Sequence, residues 1–146
     1  MVGEVMRRIA AAQTQPREDA ARSLSTLWKE LDEHALVARL AIAHALADLQ
    51  DDPAEELRWD LRALTVADQL TDGDLEHAGV DFPARALYPS LHLNAGEAYR
   101  KTGELERARA HARKGRDALS ALGADPYGGM LTDGFARLEA RIEAAG

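Results

Sequence analysis

Five histidines and no cysteine bound the chemistry open to this chain of 146 residues. His34, His44, His77, His92 and His111 form no His-Glu-x-x-His run and no paired Glu-x-x-His helices. Without thiolates a zinc site also loses its commonest ligands, so no metal is expected. Asp72-Gly73-Asp74-Leu75-Glu76-His77 superficially resembles a cation loop. It lacks the alternating acids and closing glutamate of a calcium hand, and reads as a solvated loop. Gly128-Gly129 follows no strand and precedes no Gly-Lys-Ser or Gly-Lys-Thr, so it cradles no phosphate. Ser23, Ser25, Ser90 and Ser120 fall inside helical patterns rather than in a nucleophile turn. The pairs Glu55-Glu56 and Glu104-Glu106 sit at helix starts, where the helix dipole accounts for them. No catalytic residue and no cofactor is expected.

Basic residues are concentrated in one place. Arg100, Lys101, Arg107, Arg109, Arg113, Lys114 and Arg116 lie close together in a chain of net charge -7. Arg109, Arg113 and Arg116 recur at helical spacing and form a stripe. Such a stripe is either a solvated face paired with Glu104 and Glu106, or a dock for an acidic peptide or the acidic surface of another copy. The overall acidity argues against nucleic acid and anionic membrane as partners.

The elements that must position these groups are helices. Aromatics are 5% of the chain and alanine and leucine dominate its apolar residues, a balance suited to closely approaching helices. The length suits a single domain. The N-terminus lacks a signal-peptide run, and no segment approaches the ~18 apolar residues of a membrane span, so a cytoplasmic setting is expected. Val5, Ile9 and Ala12 mark a first helix, broken before Pro16. Ala20, Leu24, Leu27, Trp28 and Leu31 mark a second. Asp32 or Glu33 is the expected cap of a third, whose Leu36, Leu40, Ala43, Leu46 and Ala47 give a broad apolar face. Pro53 starts a fourth, carried by Leu57, Leu61, Leu64 and Ala67 to about Leu70. Residues 71–85 mix glycine, proline and acids, predicting an extended connection with room for one short helical turn. A fifth helix starts near Leu87 or Pro89, a turn falls at Gly103, and a sixth stops at Leu122-Gly123. Asp125-Pro126-Tyr127-Gly128-Gly129 precedes a last helix bearing Leu131, Phe135, Leu138 and Ile142.

In the stretch Leu93 to Ala108, Gly96, Tyr99, Gly103 and Ala108 follow a small, large, turn, small spacing. This resembles one unit of a tetratricopeptide repeat, and the chain is identified as a degenerate bacterial member of that family. The resemblance implies an all-α fold: a right-handed superhelical array of about three hairpins, near residues 1–31, 34–70 and 87–122, plus a capping helix near 127–145. Ala20, Glu56 and Ala108 stand 36 and 52 residues apart, against a family period of about 34, because 71–85 is inserted.

On the family's pattern His44, Asp60, His92 and Asn94 occupy packing positions. Stacked hairpins would bring Asp60 to His92, and the two are predicted to meet. The pair is either cement between hairpins or part of a polar ligand pocket with His44, Asp48, Trp59 and Tyr88. The family also implies a peptide groove. Its lining would be Ala35, Ala38, Ile42 and Ala45 in the second hairpin and Ser90, Leu93, Glu97, Arg100 and Lys101 in the third. Asn94 matches an asparagine that grips peptide carboxylates in some members, although the second hairpin lacks the accompanying basic residues. The expected function is a non-enzymatic protein- or peptide-binding module; the alternative is a small-molecule sensor or enzyme around His44, Asp60 and His92. Exposed apolar end helices would favour a homodimer.

Overall fold

The computed structural model describes residues 2–122 and 126–146, without the side chains of residues 2, 126 and 127. The expected stop at Gly123 and the start of the break at Asp125 lie outside the described residues. Among those described, the regular structure is helical throughout: α1 Val2–Ala12, α2 Arg17–Glu30, α3 Leu36–Asp48, α4 Pro53–Gln69, α5 Asp72–His77, a 3-10 turn at Ala84–Leu87, α6 Tyr88–Lys101, α7 Leu105–Leu122 and α8 Pro126–Ala145. The chain divides into two compact units, 1–82 and 83–146.

In the first unit α3 is central, because Ala38, Leu40, Ile42, Ala43, Ala45, Leu46 and Ala47 leave almost no polar stripe on it. A helix apolar nearly all round must be enclosed, and α1, α2, α4 and α5 all pack against α3. Val5 and Ile9 from α1, Leu24 and Leu27 from α2, and Ala63 and Val66 from α4 complete the core. Asp52 caps α4, its Oδ1 accepting the Ala54 N–H, and Pro53 opens the helix as expected. The cap of α3 differs from expectation. Asp32 Oδ1 accepts the His34 N–H at 2.7 Å, which folds a turn ahead of the helix, and α3 begins only at Leu36 with Ala35 before it.

Residues 71–85 hold the short helix for which the sequence left room, and the start of a further turn besides. Thr71 and Asp74 form a reciprocal capping box that secures α5, and the 3-10 turn leads into α6.

The second unit is the α6–α7 hairpin with α8 packed against both helices. Gly103 has φ +85° in the turn, where a side chain would be strained. Ala108 is fully buried and Gly96 is buried beside it, so small residues let the two helices approach as the spacing predicts. Two further glycines, Gly115 on α7 and Gly134 on α8, sit mid-helix at close contacts. A Cβ on Gly96 would lie 2.8 Å from Leu138 of α8, and one on Gly134 would lie 2.8 Å from Leu93 of α6. One on Gly115 would lie 2.2 Å from the buried ring of Phe135. Large side chains thus seat on glycines where α8 meets both α6 and α7.

Candidate functional site: a tryptophan–arginine groove

In the first unit, α4 presents Arg62, Thr65, Val66 and Gln69 at the i, i+3, i+4, i+7 spacing that places residues on one helix face. This face, with Trp28 of α2 and Leu36 and Arg39 of α3, lines an open groove of about 430 Å³. Thr65 and Gln69 turn hydrogen bonds back on their own helix, to the carbonyls of Leu61 and Thr65.

The two tryptophans of the chain meet beneath this surface. Trp28 and Trp59 pack edge to face with ring centroids 5.1 Å apart, a favoured aromatic geometry. Each carries a guanidinium: Arg39 Cζ stands 3.8 Å from the Trp28 centroid and Arg62 Cζ 4.4 Å from that of Trp59. Among the described residues neither arginine has a carboxylate partner. Arg17, by contrast, pairs with Asp51 and Arg58 with Glu55. Glu33 and His34 stand at the rim, 3.5 Å apart and both largely exposed.

A second cluster, in the other unit, is aromatic. His92 and His111 bring their Nδ1 atoms to 3.0 Å, so one ring donates an N–H to the other. Tyr88 stacks on His92 at 5.9 Å and Tyr99 on His111 at 5.3 Å. The His111 pKa is pushed down from its ordinary 6.5 to about 4, first by burial and then by the charges of His92 and Lys114. The imidazole is therefore neutral near pH 7. Among the described residues no group of three or more histidine, aspartate or glutamate side chains is arranged to hold a metal.

The residues expected to form a polar pocket belong to both units. His44 is exposed on α3 rather than packed, with Asp48 3.9 Å away and exposed too, because the apolar side of α3 fills its contacts with other residues. Trp59 and Asp60 are buried on α4, and among the described residues no buried side-chain nitrogen or oxygen lacks a hydrogen-bond partner. Tyr88 and His92 come together in the second unit. The predicted meeting of Asp60 with His92 would be a relation between the two units.

The residues expected to line a peptide groove fall in different settings. Ile42 is fully buried inside the first unit and faces no groove. Leu93 seats on Gly134, and Glu97 bonds to Arg141 of α8 at 3.2 Å as well as to Arg100. That side of α6 is given to α8, which supplies the glycine and the cation that hold it. Burial works to raise the Glu97 carboxyl, but the Arg100 hydrogen bond and the charges of Arg100, Arg141 and Lys101 outweigh it and hold the pKa below its ordinary value. Ser90 donates to the Leu87 carbonyl, Asn94 is half-buried, and Lys101 is exposed. The basic stripe is likewise largely engaged. Arg109 pairs with Glu106, and Arg116 grips Glu139 of α8 with three hydrogen bonds, two from Nε at 2.9 and 3.0 Å and one from Nη2 at 2.6 Å. The α7–α8 groove alongside it is lined by Arg109, Arg113, Glu139 and Glu143, two charges of each sign.

No protein-family model, curated protein or solved structure matches the chain. Sequence reasoning missed the groove. Its one local signal is Trp59 and Arg62 three residues apart on a helix; Trp28 and Arg39 stand on different helices, and nothing in their spacing joins them.

Proposed function

We propose that the chain is a tetratricopeptide-like, non-enzymatic module that holds a protein or peptide segment, and that the α2–α3–α4 groove of the first unit is where it does so. The fold side of this reading is supported by the α6–α7 hairpin, in which Gly96, Gly103 and Ala108 stand at the contact and turn positions the resemblance requires. The observation that carries the site is the groove itself: Trp28 and Leu36 give it apolar walls, and Thr65 and Gln69 set polar groups along its length. Apolar walls with a few polar groups are what a bound chain needs for affinity and register. The alternative pocket around His44, Asp60 and His92 has less support, since His44 is exposed and faces Asp48, which is exposed too.

Selection of a displayed random peptide library on the protein tests this. Enriched peptides should change the tryptophan fluorescence, selectively excited, whose sources are Trp28 and Trp59. They should also lose at least about tenfold in affinity for Thr65→Trp, whose ring would occupy the groove. Peptides that bind this variant as tightly as the wild type would place the docking surface elsewhere.

A further inference from the structure

Resting on that reading of the groove, we infer that its occupant is an acidic peptide segment, whose carboxylates are taken by Arg39 and Arg62 while a neighbouring apolar side chain lies against Trp28.

A guanidinium has two faces, which stack on aromatic rings, and an edge of five N–H donors with no acceptor. Arg39 at 3.8 Å from Trp28 and Arg62 at 4.4 Å from Trp59 spend a face on the ring below. Stacking of this kind engages the π-system and leaves the in-plane edge to find oxygens. A carboxylate matches that edge with two parallel, charge-assisted hydrogen bonds.

Composition makes the lack of such a partner informative. The chain has 25 acidic against 18 basic residues, and among the described residues most arginines find a carboxylate, often one helical turn away: Arg22 with Asp19, Arg58 with Glu55, Arg107 with Glu104; Arg85, Arg113 and Arg137 do not, but none of these stands over a tryptophan. Arg39 and Arg62 have no such carboxylate among the described residues, although acids are in excess. Both are held in place, Arg39 and Arg62 each over a ring and the rings against each other. Ordering entropy that a free arginine would lose on binding has therefore already been lost in folding. Among the described residues Glu33 is the one carboxylate lining the groove, and it lies beside His34 at 3.5 Å. Two cations against one acid leave the groove net positive in a protein of net charge -7, which fits an anionic segment. A peptide is preferred to a phosphate polymer because the groove joins the cations to apolar Leu36 and Val66, and because the protein's overall charge repels polyanions at longer range.

The composition of peptides enriched from the library decides the matter. The expected pool is rich in aspartate and glutamate. A synthetic copy of its strongest binder should weaken at least about tenfold when its acids become amides, and similarly against Arg39→Gln with Arg62→Gln. Arg39→Lys with Arg62→Lys keeps the charge but not the fork and should recover only part of the affinity. Circular dichroism verifies that each variant is folded; should the glutamine pair unfold, the amide peptide and the lysine pair still give the answer. Groove-dependent binders that are neutral or basic, or that ignore the arginine substitutions, would overturn the acidic occupant while leaving the groove as a peptide site. Failure to obtain any binder sensitive to Thr65→Trp would overturn the groove itself. Inorganic pyrophosphate competing as strongly as the acidic peptide would overturn the peptide in favour of a phosphate ligand.

Discussion

His111 shows how one side chain couples burial to pH. In the folded chain its pKa is lowered to about 4 from 6.5, so between these values the unfolded chain binds a proton that the native ring refuses. Stability is therefore highest above about pH 6.5, declines as pH falls, and levels off near pH 4. The ring is only half-buried, and solvent screening limits the loss to roughly 1–2 kcal/mol. Denaturant midpoints across this window, compared between wild type and His111→Asn, should show a shallower pH slope in the variant; equal slopes would mean that the His92–His111 contact does not set the titration. At the same scale the polar residues taught an uneven lesson. The histidines were visible in the sequence, but the pairing of His92 with His111 is not a helical neighbour relation, since nineteen positions separate them. It arises because α6 and α7 fold back on each other.

The helices themselves were largely legible. Pro16, Pro53 and Gly103 stand where the backbone must break, and apolar periodicity filled the spans between them. The least secure element was the start of α3, where Asp32 spends its carboxylate on a preceding turn instead of on the helix. Glycines inside helices were the other gap. Gly115 costs α7 about 1 kcal/mol of helix propensity relative to alanine, yet a Cβ there would lie 2.2 Å from Phe135 Cζ and 3.1 Å from His92 Cβ. Phe135 is fully buried, so its ring can yield only against close-packed neighbours. Overpacking of this kind costs roughly 1–3 kcal/mol, so Gly115→Ala should be net destabilising and lower the melting temperature by several degrees. Phe135→Leu in that background should relieve part of the clash. Gly129→Ala is the control: it lies in α8 with nothing within 4 Å of its would-be Cβ, and it should leave the melting temperature unchanged or raised.

At the scale of the whole chain, two compact units each carry their own apolar core: Leu24, Ile42 and Leu46 in residues 1–82, and Phe135, Leu138 and Ile142 in 83–146. Each fragment expressed alone should then be helical by circular dichroism and melt cooperatively, with the shorter one less stable because small domains bury proportionally less surface. A fragment that showed coil spectra would mean its core is incomplete. The sequence alone determined the helical class, most element boundaries, the small contact residues Gly96 and Ala108, and the turn at Gly103, because periodicity, capping and positive φ are local properties of neighbouring residues. Tertiary structure decided which surfaces survive as surfaces. Gly134 and Arg141 of α8 take the face of α6 expected to line a groove, and Trp28 of α2 comes beneath Arg39 of α3 with Trp59 of α4 at its edge. The partner of a side chain across a helix contact is fixed by packing angles and by the volume of every other residue at that contact, and no spacing within a single helix encodes it.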